Sequence, residues 1–143
     1  NINYRVYSFS NYSKELKDLI NSDIGQVIYI LDIELEDASG LDIASEIRKK
    51  DLDSFIIIST SYIDYLPYTL KSKLMLFDFV SKFENYEQNL LSVLYKILAS
   101  INETSSNRSK IKEWIYERIK CSFEWDYICY CFILYNNKYG WEK

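Results

Sequence analysis

Two kinds of hydrophobic pattern alternate along most of this chain. Short apolar runs, typical of strands buried on both faces of a parallel sheet, occur at Val27–Leu31, Phe55–Ser59 and Leu74–Ser81. Residues 4–9 alternate between apolar and polar and predict a further strand. Apolar residues at helical spacing separate these runs and predict helices at Ser13–Ile20, after a capping Ser39, at Tyr62–Lys73 and at Tyr86–Ile101. This alternation with short connections predicts an α/β fold built on a doubly wound parallel sheet.

The end of the chain has a different character. Asn102–Ser109 is polar and is typical of a linker. Beyond it, Ile111–Lys120 and Tyr127–Tyr135 look strand-rich, so we expect a short strand-rich C-terminal appendage.

Composition limits the classes of function. The 143 residues suffice for one domain, or one domain with an appendage, and 48% hydrophobic with 27% charged residues is globular. A net charge of −4 argues against a chain whose main function is to bind the phosphate backbone of nucleic acids. The sequence has no histidine, which excludes histidine general bases and histidine metal sites.

The cysteines and the length of the apolar runs indicate the cellular compartment of the protein. The odd set Cys121, Cys129 and Cys131 suits a reducing compartment, and burial in a strand is favoured over metal binding. No apolar run approaches a membrane span and no signal peptide is visible, so we expect a cytoplasmic protein without membrane partners.

Three polar residues follow three of the apolar runs. Asp32 comes after Val27–Leu31, Thr60 after the next run, and Lys82 after the third. Singly, each has an ordinary explanation, as a solvated loop acid, a capping residue or a surface lysine. Because chemistry in an open parallel sheet collects at the carboxyl ends of its strands, the three together predict a phosphoryl-acceptor site. The carboxylate would attack phosphorus, and the hydroxyl and ammonium would stabilise the transferred oxygens.

The stretch from Val27 to Ile101 resembles the receiver domain of two-component response regulators. It is most similar to receivers with a LytTR DNA-binding output, including regulators of peptide quorum sensing. The matching motifs are LDIELEDASGLDIASEIRKKD, FIIISTSYIDY and LMLFDFVSK. The resemblance implies a flavodoxin-like fold.

The resemblance also implies roles for particular residues. Asp32 would be the phosphorylated residue, Thr60 the switch hydroxyl, Lys82 the site lysine and Phe79 the switch aromatic. Magnesium would be held by Asp32 and by the backbone carbonyl of Glu34.

The sequence departs from the family at both ends. It opens on YRVYSF, which matches the second strand, so the first strand, its acidic pair and the first helix are expected to be missing. With so few anionic ligands, magnesium would be weakly held. We therefore divide the chain into an N-terminally incomplete receiver (1–101), a linker (102–110) and a remnant or start of a LytTR-like output domain (111–143).

Two functions follow from the resemblance. One is a receiver, a signalling module and not an enzyme, that accepts a phosphoryl group on Asp32 from a sensor histidine kinase and controls transcription through a LytTR-type output. The other is a degenerate or truncated receiver that acts only as a protein-interaction module. A homodimer is a candidate state, and DNA would be bound only through an output domain that is incomplete here.

The expected loss of the central strand leaves a gap between YRVYSF and Val27–Leu31. We predict that Tyr127–Tyr135, an apolar run of the fully buried type, inserts beside Val27–Leu31, with Asn136 and Asn137 following where the acidic pair would be. Alternatively, the two flanking strands pair directly, or the tail forms its own hairpin.

Overall fold

The computed structural model describes residues 4–23, 25–33, 39–61, 67, 73–101, 105–120 and 129–134. Five strands lie in these ranges: β1 (Tyr4–Phe9), β2 (Val27–Leu31), β3 (Phe55–Thr60), β4 (Asp78–Ser81) and β5 (Cys129–Leu134). Four helices accompany them: α1 (Lys14–Asn21), α2 (Gly40–Arg48), α3 (Tyr86–Ser100) and α4 (Ser105–Lys120).

Local sequence explains where the first two helices begin. The Ser13 hydroxyl accepts a hydrogen bond from the Leu16 N–H and caps α1. Ser39 caps α2 in the same way, and the Asp42 carboxylate accepts from the Ser39 N–H to complete a capping box. The predicted cap of the helix that follows Asp32 is confirmed.

The sheet has the strand order β1-β5-β2-β3-β4. Strands β2, β3 and β4 are parallel, as the apolar runs predicted. Strand β5 lies between β1 and β2 and is antiparallel to both. The predicted insertion of this segment beside Val27–Leu31 is therefore confirmed.

The direction of β5 changes one part of that prediction. Cys129 pairs with Leu31 and Ile133 pairs with Val27, so the amino end of β5 lies at the edge where Asp32 follows β2. The carboxyl end of β5 is at the opposite edge, which is not where the acidic pair was expected. Asn136 and Asn137 themselves lie outside the described residues.

Hydrophobic residues pack against both faces of the sheet, as in a doubly wound fold. One cluster joins α1 and α2 to the face that includes Leu31 and Ile58. The other joins α3 and α4 to the face that includes Ile30 and Ile57. The predicted inward stripe of α3 is confirmed, since its residues are fully buried: Leu90, Leu94 and Ile97.

Strand β4 is shorter than the predicted Leu74–Ser81. Lys73 and Met75 have φ angles of 55° and 53°, which are not strand conformations. The guanidinium of Arg48 donates to the carbonyls of Leu74 (2.7 Å) and Met75 (3.0 Å), which fixes this segment against α2. The strand therefore begins only at Asp78.

The C-terminal region also differs from expectation. Ser105–Lys120 is a helix that begins inside the predicted linker and replaces the strand expected at Ile111–Lys120. Ile111 is buried in the cluster shared with α3, and β5 is an interior strand of the sheet, so a separate strand-rich appendage is not confirmed. The predicted helix Tyr62–Lys73 lies almost entirely outside the described residues. In the described ranges, no helix is both long and apolar enough to cross a membrane.

Candidate functional site

The three polar residues predicted from the strand ends meet at one edge of the sheet. Lys82 Nζ donates a hydrogen bond to Asp32 Oδ2 over 2.8 Å. The Lys82 N–H donates to the Thr60 carbonyl over 2.9 Å. The parallel strands β2, β3 and β4 end side by side, which brings these residues together across long stretches of sequence.

Asp32 is held where β2 turns toward α2. Gly40, the first residue of α2, donates its N–H to the Ile33 carbonyl over 2.9 Å. A Cβ atom placed on Gly40 would lie 1.9 Å from the Asp32 carbonyl oxygen, so no larger residue fits without a backbone shift. Sequence reasoning missed this role of Gly40, although a glycine at the start of a capped helix is a signal for close backbone approach.

Thr60 and Phe79 lie on the same face of the sheet. Ile58 pairs with Phe79 and Thr60 pairs with Ser81, and side chains alternate along each strand. Thr60 is fully buried, whereas Phe79 is partly buried against the cluster that includes α1 and α2. The two residues predicted as switch hydroxyl and switch aromatic therefore share one side of the sheet.

The loop that carries Lys82 is fixed to β3. Ser59, the residue before Thr60, has its Oγ 2.5 Å from the hydroxyl of Tyr86, the first residue of α3. Burial raises the pKa of Tyr86 to about 12; the hydrogen bond with Ser59 opposes this, and the charge of Asp32 reinforces it. Sequence reasoning missed Ser59 and Tyr86, because neither comes directly after an apolar run.

The site is partly open to solvent. The Lys82 side chain is 30% exposed and that of Asp32 is 19% exposed, so both can be reached from outside. Phe83, next to Lys82, is 73% exposed.

The predicted magnesium site lies partly outside the described residues. They contain no group of three or more acidic or cysteine side chains that could hold a metal ion. Asp32 Oδ2 is already paired with Lys82, and Glu34, whose carbonyl was the second predicted ligand, lies outside the described residues. Because magnesium prefers several oxygen ligands in octahedral geometry, one carboxylate is too few for firm binding.

This arrangement is suited to covalent chemistry at a carboxylate. Asp32 offers an oxygen nucleophile at a partly open edge, and the Lys82 ammonium lies within hydrogen-bond distance of it. A cation in that position can stabilise negative charge that develops on an attached group.

The sequence and the fold were compared with protein families, curated proteins and solved structures. No family model matches the sequence, and no curated protein matches it. Among solved structures, the chain is similar to response regulator DrrB, a Thermotoga maritima OmpR/PhoB homolog, with 23% sequence identity and a TM-score of 0.45. That match covers 62% of this chain and 40% of the other.

Proposed function

We propose that this chain is a receiver module that accepts a phosphoryl group on Asp32. The observation that supports it best is the convergence of Asp32 and Lys82, whose side chains come from different strand ends and meet at 2.8 Å. A structural ion pair could lie anywhere on the surface. This one lies at the carboxyl edge of a doubly wound sheet, where such folds carry out their chemistry.

The proposed reaction is a transfer of one phosphoryl group. An Asp32 carboxylate oxygen forms a bond to phosphorus while the bond from phosphorus to the donor breaks, and the donor leaves with that electron pair. The product is an acyl phosphate on Asp32. Lys82 would move with the negative charge from the carboxylate to the phosphoryl oxygens, a shift its flexible side chain permits.

Thr60 would act after the transfer. Its side chain is fully buried at the end of β3, so its hydroxyl would have to turn toward the edge to donate to a phosphoryl oxygen. Phe79, which lies on the same face and is only partly buried, would take up the space that this movement leaves. The phosphorylated state would thus differ from the unphosphorylated one at the β3–β4 surface.

The natural donor would be a phosphohistidine of a sensor histidine kinase. Control of transcription would require an output region, and α4 and β5 pack instead as parts of the sheet unit. The function proposed for the described residues is therefore the receiver step, with a LytTR-type output as the further expectation from the resemblance.

Intact mass spectrometry tests the proposal. The protein is incubated with acetyl phosphate in a buffer that contains magnesium, and the Asp32→Asn variant is treated alike. Asp18→Asn, a change at an exposed position of α1, is the matched control.

We expect the wild type and Asp18→Asn to gain the mass of one phosphoryl group and Asp32→Asn to gain none. A wild type that stays unmodified would contradict phosphoryl acceptance and favour an interaction module. Equal modification of Asp32→Asn would show that the acceptor is another residue.

A further inference from the structure

A pair of hydroxyl groups lies beneath the candidate site, on the face covered by α3 and α4. Ser59 is only 2% exposed, and its Oγ lies 2.5 Å from the Tyr86 hydroxyl. Tyr86 packs against the cluster that contains Ile57 and Leu90. A hydroxyl buried in such surroundings needs a hydrogen-bond partner, and each of these two groups supplies one for the other.

The two residues sit next to residues of the candidate site. Ser59 directly precedes Thr60 in β3, and Tyr86 begins α3 four residues after Lys82. Between Lys82 and Tyr86 the chain turns sharply, because Asn85 adopts the left-handed conformation with φ 48°. The segment from Lys82 to Asn85 therefore connects the site lysine to the residue that bonds Ser59.

This segment is attached to the end of β3 at two points. At its first residue, the Lys82 N–H donates to the Thr60 carbonyl over 2.9 Å. Just after its last residue, the Tyr86 hydroxyl meets Ser59. The segment is thus held to β3 at both of its ends, while the Asn89 side chain donates to its Glu84 carbonyl over 3.2 Å.

The position of this backbone matters because the lysine side chain is long and flexible. Four rotatable bonds separate the Lys82 backbone from the ammonium that meets Asp32. We propose that Ser59 and Tyr86 are positioning residues, and that their hydrogen bond holds the Lys82 segment so that the ammonium stays on the Asp32 carboxylate. As a statement about phosphoryl transfer, this rests on the function proposed above.

The protonation state of Tyr86 is compatible with this role. Burial raises its pKa to about 12, so the hydroxyl keeps its proton throughout the neutral range. The hydrogen bond with Ser59 is then available at any pH at which the protein would work.

Selective labelling of lysine amines tests the proposal without phosphate. The protein is treated briefly with a limiting amine-reactive ester, and peptide mass spectrometry gives the labelling of Lys82 relative to Lys96, an exposed residue of α3. The variants are Tyr86→Phe, Ser59→Ala and the double variant. Tyr95→Phe is the matched control, because it makes the same change on the same helix beside the cations of Arg108 and Lys112.

We expect each single variant to raise the Lys82 labelling ratio roughly threefold to tenfold, the range that corresponds to one hydrogen bond. The double variant should raise the labelling ratio only as much as the more effective single variant does, because both changes remove the same hydrogen bond. Tyr95→Phe should leave the ratio unchanged. A merely structural role would instead raise the labelling of Lys82 and of the other lysines alike, in proportion to the loss of stability in thermal unfolding.

An unchanged ratio in both single variants, or additive effects in the double variant, would overturn the proposal. If the wild type accepts no phosphoryl group, the proposed function fails, and the labelling ratio still decides whether Ser59 and Tyr86 position Lys82. If the wild type is phosphorylated, both single variants should slow that reaction by a similar factor.

Discussion

Lys82 Nζ and Asp32 Oδ2 lie 2.8 Å apart although the two residues are separated by 50 positions in sequence. The pair joins the end of β4 to the end of β2, across the intervening β3. The ammonium thus rests on the carboxylate oxygen that would accept a phosphoryl group under the proposed function. A phosphoryl group on Asp32 would move negative charge outward, and the ammonium would follow it.

Replacing Lys82 should affect chemistry more than stability. We expect Lys82→Met to slow phosphorylation by acetyl phosphate roughly tenfold or more, because a cation at the developing charge is lost. The free energy of unfolding should change by about 1 kcal/mol or less, since both partners are partly exposed. Initial rates from intact mass and urea unfolding measure the two effects.

Lys49→Met is the control for that variant. Lys49, the residue after α2, pairs with Glu46 at 2.7 Å, and both side chains are exposed. Its loss should alter neither the rate nor the stability appreciably. Equal rates for Lys82→Met and the wild type would show that Lys82 does not assist the transfer.

Gly40 should not accept a side chain. We expect Gly40→Ala to lower the free energy of unfolding by about 1–3 kcal/mol, because its Cβ would meet the Asp32 backbone and force it to move. Phosphorylation should fall as well, since Asp32 moves with its backbone. Ser45→Ala on the same helix controls for helix propensity, and a Gly40→Ala protein as stable as that control would refute the close approach.

Tyr86 should give the folded protein a specific sensitivity to alkali. Its pKa is raised from 10.0 to about 12 by burial, so the folded state keeps a proton that the unfolded state has released. The free energy of unfolding should therefore fall by about 1.4 kcal/mol per pH unit in that interval from this group alone. Below pH 10 the tyrosine is protonated in both states, and its contribution to the free energy of unfolding is fully present.

Tyr86→Phe isolates this effect from the other tyrosines. We expect the difference in stability between the wild type and Tyr86→Phe to shrink as the pH rises from 10 toward 12, measured by denaturant unfolding. Parallel curves for the two proteins would mean that Tyr86 titrates normally in the folded state.

The backbone hydrogen bonds of β5 should be essential for stability, because this strand lies in the interior of the sheet. Cys131 pairs with Tyr7 on one side and Tyr29 on the other, so Cys131→Pro would remove a backbone donor from an interior strand. We expect a loss of about 3 kcal/mol or more, or failure to fold. Cys131→Ala keeps the backbone N–H and should be far milder; similar stabilities for both variants would place this segment outside the sheet.

The residues that follow the strand ends could be predicted from the sequence. The hydrogen-bonded pair Ser59 and Tyr86 beside them could not. Apolar runs that stop at Asp32, Thr60 and Lys82 carry a clear signal, because a buried strand has a regular pattern and its end breaks that pattern. Ser59 and Tyr86 have no such signal. Ser59 is the last residue of the apolar run that precedes Thr60, Tyr86 is a tyrosine at a helix start, and only the folded chain brings the two together.

Two predictions about the secondary structure are wrong for identifiable physical reasons. The predicted start of β4 at Leu74 is wrong because Arg48, far away in sequence, donates to the carbonyls of Leu74 and Met75. The first turn of α4 is polar and therefore typical of a linker, and the segment Ile111–Lys120, predicted as a strand, is instead helical and packs Ile111 against α3. The insertion of β5 could be predicted from its hydrophobicity. Its antiparallel direction could not, because a uniformly apolar strand has the same hydrophobic pattern in both directions.

Locating the phosphoryl group tests the central claim most directly. After incubation with acetyl phosphate, an acyl phosphate can be reduced with borohydride, which converts the modified aspartate to homoserine, and peptide mass spectrometry then identifies the position. We predict homoserine at Asp32 in the wild type, in reduced amount in Lys82→Met. Homoserine at another residue, or none at any residue, would contradict the assignment of this sheet edge as a phosphoryl-acceptor site.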